Sequence, residues 1–364
     1  MNICHVVGAR PNFMKAAPVL RALRSYAATE QFVVHTGQHY DFNMSDVFFQ
    51  QLEMAPPDIN LQVGSGSHAQ QTAQIMSRFE PVVLERKPDL VLVYGDVNST
   101  VAAALVCAKL GTKLGHVEAG LRSSDRSMPE EINRLLTDQL ADLLFTPSVD
   151  GNINLAREGI SEEKVHLVGN VMIDTVVRML PAARQTIAAD LPEHFALVTL
   201  HRPANVDVPE WLDEFIKALV VIGKQIPVLF PVHPRTRQQL LARGKSLASS
   251  HGILLMNPLP YLEFLGLQTR ATVVVTDSGG IQEETTFLGV PCLTVRENTE
   301  RPITVTTGTN LLVGRDPQKI CAEVKRVLSG NVKRTGVPPL WDGHAAERIA
   351  SVIKGKAAGT ASTG

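Results

Sequence analysis

Between Tyr94 and Arg134 the chain reads YGDVNSTVAAALVCAKLGTKLGHVEAGLRSSDRSMPEEINR, which sets Asp96, Glu118 and Glu131 at the ends of elements with Arg122 and Arg134 among them. Acids at element ends face a cleft rather than bulk water. Clustered carboxylates also repel one another, which can raise one pKa toward neutrality and supply an acid or base at working pH. Each acid has a plain structural use as well: Asp96 as a helix cap, Glu130 or Glu131 as a complement to a helix dipole. Three acids on one edge with two arginines nearby are less easily explained that way, so a proton-handling cluster is the expectation.

A second set lies further on. VVVTDSGGIQEETTFLG feeds an apolar strand into Asp277-Ser278-Gly279-Gly280 and then a helix. Glycines permit close backbone approach, Ser278 brings a hydroxyl, and a helix N-terminus suits a pyrophosphate. Glu283 and Glu284 follow one turn on, where a carboxylate can accept from both hydroxyls of a ribose. His201-Arg202 and His233 follow two other strands, and Arg301 sits in a loop after a third, placed to bind phosphate or sugar hydroxyls. His233 reads locally as a structural residue, whereas His201 at a strand's carboxyl end is the better candidate for chemistry. Neither His201 nor His233 has metal-ligand spacing such as HxxxH, so a zinc site is rejected there. Near the start, Arg10 and Lys15 flank a strand-turn-helix junction that either welcomes phosphate or is an ordinary turn with surface cations. GxGxxG is missing, so this is not a dinucleotide fingerprint. Gln38-His39-Tyr40 makes a polar loop at another strand end, with His39 ranked low.

These residues need a scaffold that gathers strand ends. Continuous apolar runs such as DLVLVY (89–94) and TVVVT (272–276) alternate with segments of helical spacing, the pattern of parallel strands covered on both faces. Ligands in such sheets bind beyond the carboxyl ends of the strands. Strands are expected at 2–8, 31–37, 89–94, 113–117, 142–148 and 164–170, then at 196–202, 227–234, 252–256, 272–280 and 290–295. Residues 56–68 read as loop. The chain is thus two doubly wound α/β halves in series, 1–170 and 171–340, then a final helix at 345–354 within 341–354 and a tail, 355–364, too small and polar to dock. The 364 residues fit about two domains.

Apolar content of 44%, charged content of 20% and a net charge of −1 describe a soluble globular protein. Scattered Lys and Arg argue against nucleic acid and membrane-surface partners, and no run approaches the ~20 apolar residues of a membrane span. The start has no signal-peptide pattern, and four widely spaced cysteines without CxxC are read as reduced thiols, so a cytoplasmic location is expected.

In order and spacing, GARPNFMKAAP, TGQHYD, GDVNST, HVEAGLRS, PEEINR, HRPAN, PVHP, DSGGIQEE, ENTERP and WDGHAAERI resemble the non-hydrolysing UDP-N-acetylglucosamine 2-epimerases, from residue 3 to about 353. The resemblance implies two Rossmann-like domains of the GT-B type, an active site in the interdomain cleft, and a last helix crossing back to the first domain. It implies reversible inversion at C2, UDP-GlcNAc to UDP-ManNAc, through elimination of UDP to a glycal and re-addition, with no metal or nicotinamide and with homodimers. Such products usually feed surface polysaccharides. It assigns Asp96, Glu118, Glu131 and His201 to catalysis. Arg10, Ser278, Gly279 and Gly280 are assigned to the diphosphate and Glu284 to the ribose, with Lys15, Arg134, Arg301 and His233 as further substrate contacts. Common members read GTRPE, GDTxT and HRREN where this chain has GARPN, GDVNS and HRPAN. A UDP-2,3-diacetamido uronic acid is therefore an alternative substrate; a GT-B glycosyltransferase and a hydrolysing epimerase are alternative activities. Bacterial members bind an activating second UDP-sugar partly through a glutamine, here Asp41, and an Arg in a loop that here reads VGSGSH, so that regulation is not expected.

Overall fold

The apolar runs become short parallel strands: β1 (Asn2–Val7), β2 (Glu30–His35), β3 (Ile59–Asn60), β4 (Leu90–Tyr94), β5 (Leu114–Val117), β6 (Leu143–Thr146), β7 (Val165–Leu167), β8 (Ala196–Thr199), β9 (Val228–Pro231), β10 (Ile253–Met256), β11 (Val273–Thr276), β12 (Cys292–Thr294) and β13 (Asn310–Leu312). The structure is a computed structural model that describes residues 1–25, 29–37, 49, 51–188, 191–243, 252–333 and 336–361, the last five by backbone alone. His39 and Asp41 lie outside the described residues.

The chain forms two compact units, the first holding Met1–Thr175 and the chain from Pro339 onward, the second Val176–Pro338. The first unit's sheet runs β3-β2-β1-β4-β5-β6-β7 and the second unit's β10-β9-β8-β11-β12-β13. Every pairing is parallel, with Val6 beside Val93 and Thr199 beside Thr276. Both are Rossmann-like sheets. Strand order reverses between β1 and β4 in one and between β8 and β11 in the other, and the crevice at such a reversal is where ligands bind.

The unbroken apolar character of the strands follows from cover on both faces. In the second unit Val198, Phe230 and Val275 pack against Phe215 and Leu219 of the helix Pro209–Gly223, while Leu197, Leu229 and Val274 meet Leu267 on the other side. Each such side chain contributes about 1.5–3 kcal/mol on burial. In the first unit the helix Asn98–Leu110 is buried along most of its length, its alanines letting it lie close to β1 and β4. All four cysteines are free thiols, three of them buried. Among the described residues no helix is long and apolar enough to cross a membrane.

Three expectations change. Ile59–Asn60, within a segment read as loop, adds a two-residue strand to β2 because Val34 pairs with Ile59 and the Asp58 carboxylate accepts from the Val33 amide at 2.7 Å. Asn310–Leu312 is a sixth strand of the second sheet, too short and too close to Gly308 for pattern alone to separate it from loop. The last helix runs Ala345–Ala361, so residues 355–361 continue it rather than forming a separate tail; its Ala- and Lys-containing end has good helix propensity.

That helix is tied to the first unit at its start. Asp174 accepts from the amides of Ala345 (3.1 Å) and Ala346 (2.7 Å), and Trp341 donates to the Pro147 carbonyl. Burial pushes the Asp174 carboxyl up to about 6 against the pull of the two amides. A carboxyl whose folded value lies above its unfolded value contributes stability below the unfolded value and loses it as pH rises through the folded one. The unfolding free energy of the first unit is therefore expected to fall as pH rises from about 4 to 7, by an amount on the order of 2 kcal/mol, lowering its thermal midpoint, and Asp174→Asn should flatten that slope. Parallel pH profiles for the two proteins in calorimetry would contradict this origin.

Candidate active site

At the β1/β4 reversal of the first unit, turns and helix starts bring the acids together. Gly95 ends β4 at φ +64°, and a Cβ there would lie 2.8 Å from the Lys15 ammonium and 3.5 Å from a Glu118 oxygen, so only glycine leaves those side chains in place. Lys15, on the helix Arg10–Arg24, forms an ion pair with Glu118 just beyond β5. Glu118 adopts a left-handed backbone, φ +77°, held there because its amide and that of Ala119 both donate to the Phe145 carbonyl at 3.0 Å. Such a conformation costs a non-glycine residue about 1–2 kcal/mol, and strain of this kind gathers at functional sites.

Asp96 does not cap the following helix: the N-cap is Val97, without a side-chain bond. Its carboxylate is held instead by Arg134 of the helix Pro129–Leu140, which also grips Glu131 through Nε (3.1 Å) and Nη2 (2.6 Å). Glu131 further accepts from the Ser123 amide and hydroxyl at 3.0 and 3.1 Å and from the Ser124 amide at 2.9 Å. Burial would raise its carboxyl, but these amides and Arg134 hold it below the usual range. The expected raising of one pKa by mutual repulsion is thus reversed at Glu131, because cations and amides are interleaved with the acids. Arg122 is not brought to Asp96; it is bidentate to Glu158 and reaches Asp138 at 2.7 Å. Exposure separates the three acids: the Asp96 side chain is 29% exposed, those of Glu118 and Glu131 5% and 3%. Arg10 is the first residue of its helix and half-buried. The amides of Gly8 and Ala9, which a phosphate would want, already donate to the Asn12 carboxamide at 3.1 and 3.0 Å, while Asn12 donates to the Tyr94 carbonyl.

The second unit repeats the geometry with different chemistry. Register places His201 and Asp277 side by side beyond β8 and β11. The wholly buried Asp277 carboxylate accepts from the amides of His201 and Arg202, from Asn205 at 3.0 Å, and from His201 Nδ1 at 2.9 Å. Burial raises that carboxyl, and the His201 contact, Arg202 amide and Asn205 outweigh it, so it is held down. Pro203 opens the one-turn helix that presents Asn205. With Nδ1 bound to Asp277, His201 keeps Nε2 for a ligand. His233 lies with its ring centroid 5.6 Å from that of His201, exposed at the surface, and partial desolvation of the ring together with His201 pushes its pKa down.

Ser278 precedes the helix Gly279–Leu288, whose first amides have no intrahelical acceptor. A Cβ on Gly279 would fall 2.6 Å from Arg301 Nη1 and 2.7 Å from Glu300, so glycine is what lets Arg301 reach this turn. Arg301 is buried between Glu283 (2.8 Å) and Glu300, and Glu300 is also bound by Arg296 at 2.7 Å. Glu284 is buried one turn along, accepting from Tyr261 (2.8 Å) and Gln268 (2.6 Å), with burial raising its carboxyl against both bonds. Sequence reasoning did not single out Asp277 as the organiser of this site, nor His116 and Asp138 in the first unit; Asn12 stood out only as a departure from the family's Glu, not as the partner of the Gly8 and Ala9 amides. A polar residue inside an otherwise apolar strand, His116 in LGHV, was the available signal.

The first unit thus offers carboxylates with paired cations and the second a helix start without a side-chain cap beside an Asp-backed histidine. The sequence pattern of the family described as UDP-N-acetylglucosamine 2-epimerase matches residues 21–354. The chain is 42% identical to a UDP-N-acetylglucosamine 2-epimerase of Methanococcus maripaludis, across 96% of this chain and 98% of that protein. It is 41% identical to a UDP-2,3-diacetamido-2,3-dideoxy-D-glucuronate 2-epimerase of Pseudomonas aeruginosa, across 97% and 99%. It superposes on the crystal structure of the Methanocaldococcus jannaschii UDP-GlcNAc 2-epimerase in complex with UDP-GlcNAc and UDP with a TM-score of 0.89, at 40% identity and with 97% and 99% of the two chains covered. The chain belongs to the UDP-N-acetylglucosamine 2-epimerase family of isomerases.

Proposed function

We propose that this epimerase interconverts UDP-GlcNAc and UDP-ManNAc. A base removes the C2 proton as the C1–O bond to UDP breaks, leaving a C1–C2 double bond in a 2-acetamidoglucal. UDP then returns to C1 while C2 takes a proton on the opposite face. The observation that carries this reading is the partly open Asp96 carboxylate, fixed by Arg134 at the strand reversal of a chain from this family. Asp96 is assigned to proton transfer at C2, with Glu118, paired to Lys15, as the second carrier. Glu131 aims Arg134. In the second unit Ser278, Gly279, Gly280 and Arg301 take the diphosphate; Glu284 takes the ribose, and His201 and His233 lie toward the leaving group. Donors aimed at the departing diphosphate stabilise charge that develops only in the transition state.

A specific observation supports a second substrate. Asn12 is neutral and already engaged with Gly8, Ala9 and Tyr94, where common family members carry Glu, and a neutral residue spares a uronate repulsion. Incubation in D2O with UDP-GlcNAc and, separately, with UDP-2,3-diacetamido-2,3-dideoxyglucuronic acid decides between them. Deuterium at C2 and the manno epimer are expected from the first. Their appearance only from the uronate reassigns the substrate, and free ManNAc with UDP would mean a hydrolysing enzyme. Neither exchange nor epimer from both would end the reading. A homodimer, working in the cytoplasm on precursors of surface polysaccharides, is part of the same proposal; sedimentation that finds only monomer at micromolar concentration would remove its first element.

A further inference from the structure

Beneath the three acids lies a buried pair that the mechanism above leaves unused. His116 in β5 and Asp138 in the helix Pro129–Leu140 are enclosed on all sides, 0% and 1% exposed. His116 Nδ1 lies 2.6 Å from Asp138, and Nε2 lies 2.8 Å from the carbonyl oxygen of Gly95. The other Asp138 oxygen accepts from the Gly120 amide at 3.1 Å and from Arg122 at 2.7 Å. Burial raises the Asp138 carboxyl, but His116 and Arg122 outweigh it and hold it ionised. The ring is thus held from both of its nitrogens, between the Asp138 carboxylate and the Gly95 carbonyl.

The pair touches each element that bears an acid. It holds the turn before Asp96 through the Gly95 carbonyl, the turn after Glu118 through the Gly120 amide, and the helix of Glu131 through Asp138 itself. Stability does not account for two charges here, since well-packed apolar residues of similar volume commonly serve a core as well or better. What an ion pair with four directed bonds adds is a fixed separation between three chain segments.

We propose that His116 and Asp138 are positioning residues that set the placement of Asp96 and Glu118 about C2, so that their loss slows proton transfer without weakening the grip on UDP. The proposal rests on the 2-epimerase reading. The test uses the full-length chain with His116→Phe and, should that variant not fold, Asp138→Asn, with UDP-binding sites counted by calorimetry so that misfolded protein is excluded. The kcat per UDP site is expected to fall about a hundredfold, the cost of roughly 1 Å of misplacement. KM should stay within about threefold, the pattern for an interaction made only in the transition state. The isotope effect with C2-deuterated substrate should rise, because proton transfer becomes slower than the steps around it. Activity falling only in step with lost UDP sites, with an unchanged isotope effect, would reduce the pair to packing and overturn the proposal. A measurement independent of turnover accompanies these: hydrogen exchange of the Gly120 amide, which donates to Asp138, should quicken in the His116→Phe variant, and unchanged exchange would overturn the clamp. Wild type without C2 exchange would instead end the substrate reading, leaving the Gly120 amide to decide the clamp.

Discussion

Asp96→Asn is expected to slow C2 exchange about a thousandfold, within the span that a positioned acid or base contributes, while UDP affinity stays near wild type. Asparagine keeps the volume and one acceptor for Arg134 but cannot take a proton. The choice among the three acids follows from their surroundings. Glu131 accepts two amides, a hydroxyl and two guanidinium nitrogens, which leaves it a holder of Arg134. Glu118 is almost enclosed beside Lys15. Asp96, the most open of the three, carries its one side-chain ion pair to Arg134 and keeps a face toward the crevice. Exchange within tenfold of wild type, read by NMR in D2O, would remove Asp96 from proton transfer and shift the role to Glu118.

The second large effect concerns stability. Asp277→Ala is expected to destabilise the second unit by about 3–5 kcal/mol, the range for breaking a buried charged network by removing one partner. It would strip acceptors from two backbone amides, from Asn205 and from His201 at once. Because the folded carboxyl is held below its ordinary value of 3.8, its contribution is present above that value and is lost as pH falls through the folded one. Wild type should therefore weaken below about pH 4, and the variant's profile should lack this contribution. Hydrogen exchange of the β8 and β11 amides reads the effect locally. Protection in the variant equal to that in wild type would show that water replaces the carboxylate without cost.

How far this could be read from the sequence depended on the length and chemistry of each segment. Runs such as LVLVY and VVVT announced covered parallel strands, since both faces must be apolar. Glycines marked the carboxyl ends that carry Asp96, Glu118 and the Asp277–Gly280 turn, and a proline at 203 marked the end that carries His201. Two-residue β3 and three-residue β13 exist only through pairing with a neighbour, and no local pattern encodes that. The same limit hid the partners of each acid. That Arg134 and not Arg122 reaches Asp96 depends on the helix Pro129–Leu140 turning Arg134 inward, while Glu158, 36 residues from Arg122, claims the other arginine. Asp277 was quoted within its motif yet passed over, because its work is to fix His201 across a strand pair 76 residues apart.

The Asn12 carboxamide has one more consequence. Both units share one strand order, and that topology offers the same backbone cradle for an anion twice over. In the first unit Asn12 has plugged the cradle from within, spending the Gly8 and Ala9 amides on a side chain of the chain's own. In the second, no side chain caps the helix that opens at Gly279. Two copies of one architecture are thereby left unequal: one helix start is answered by a side chain of its own first turn, and the other opens without a side-chain cap.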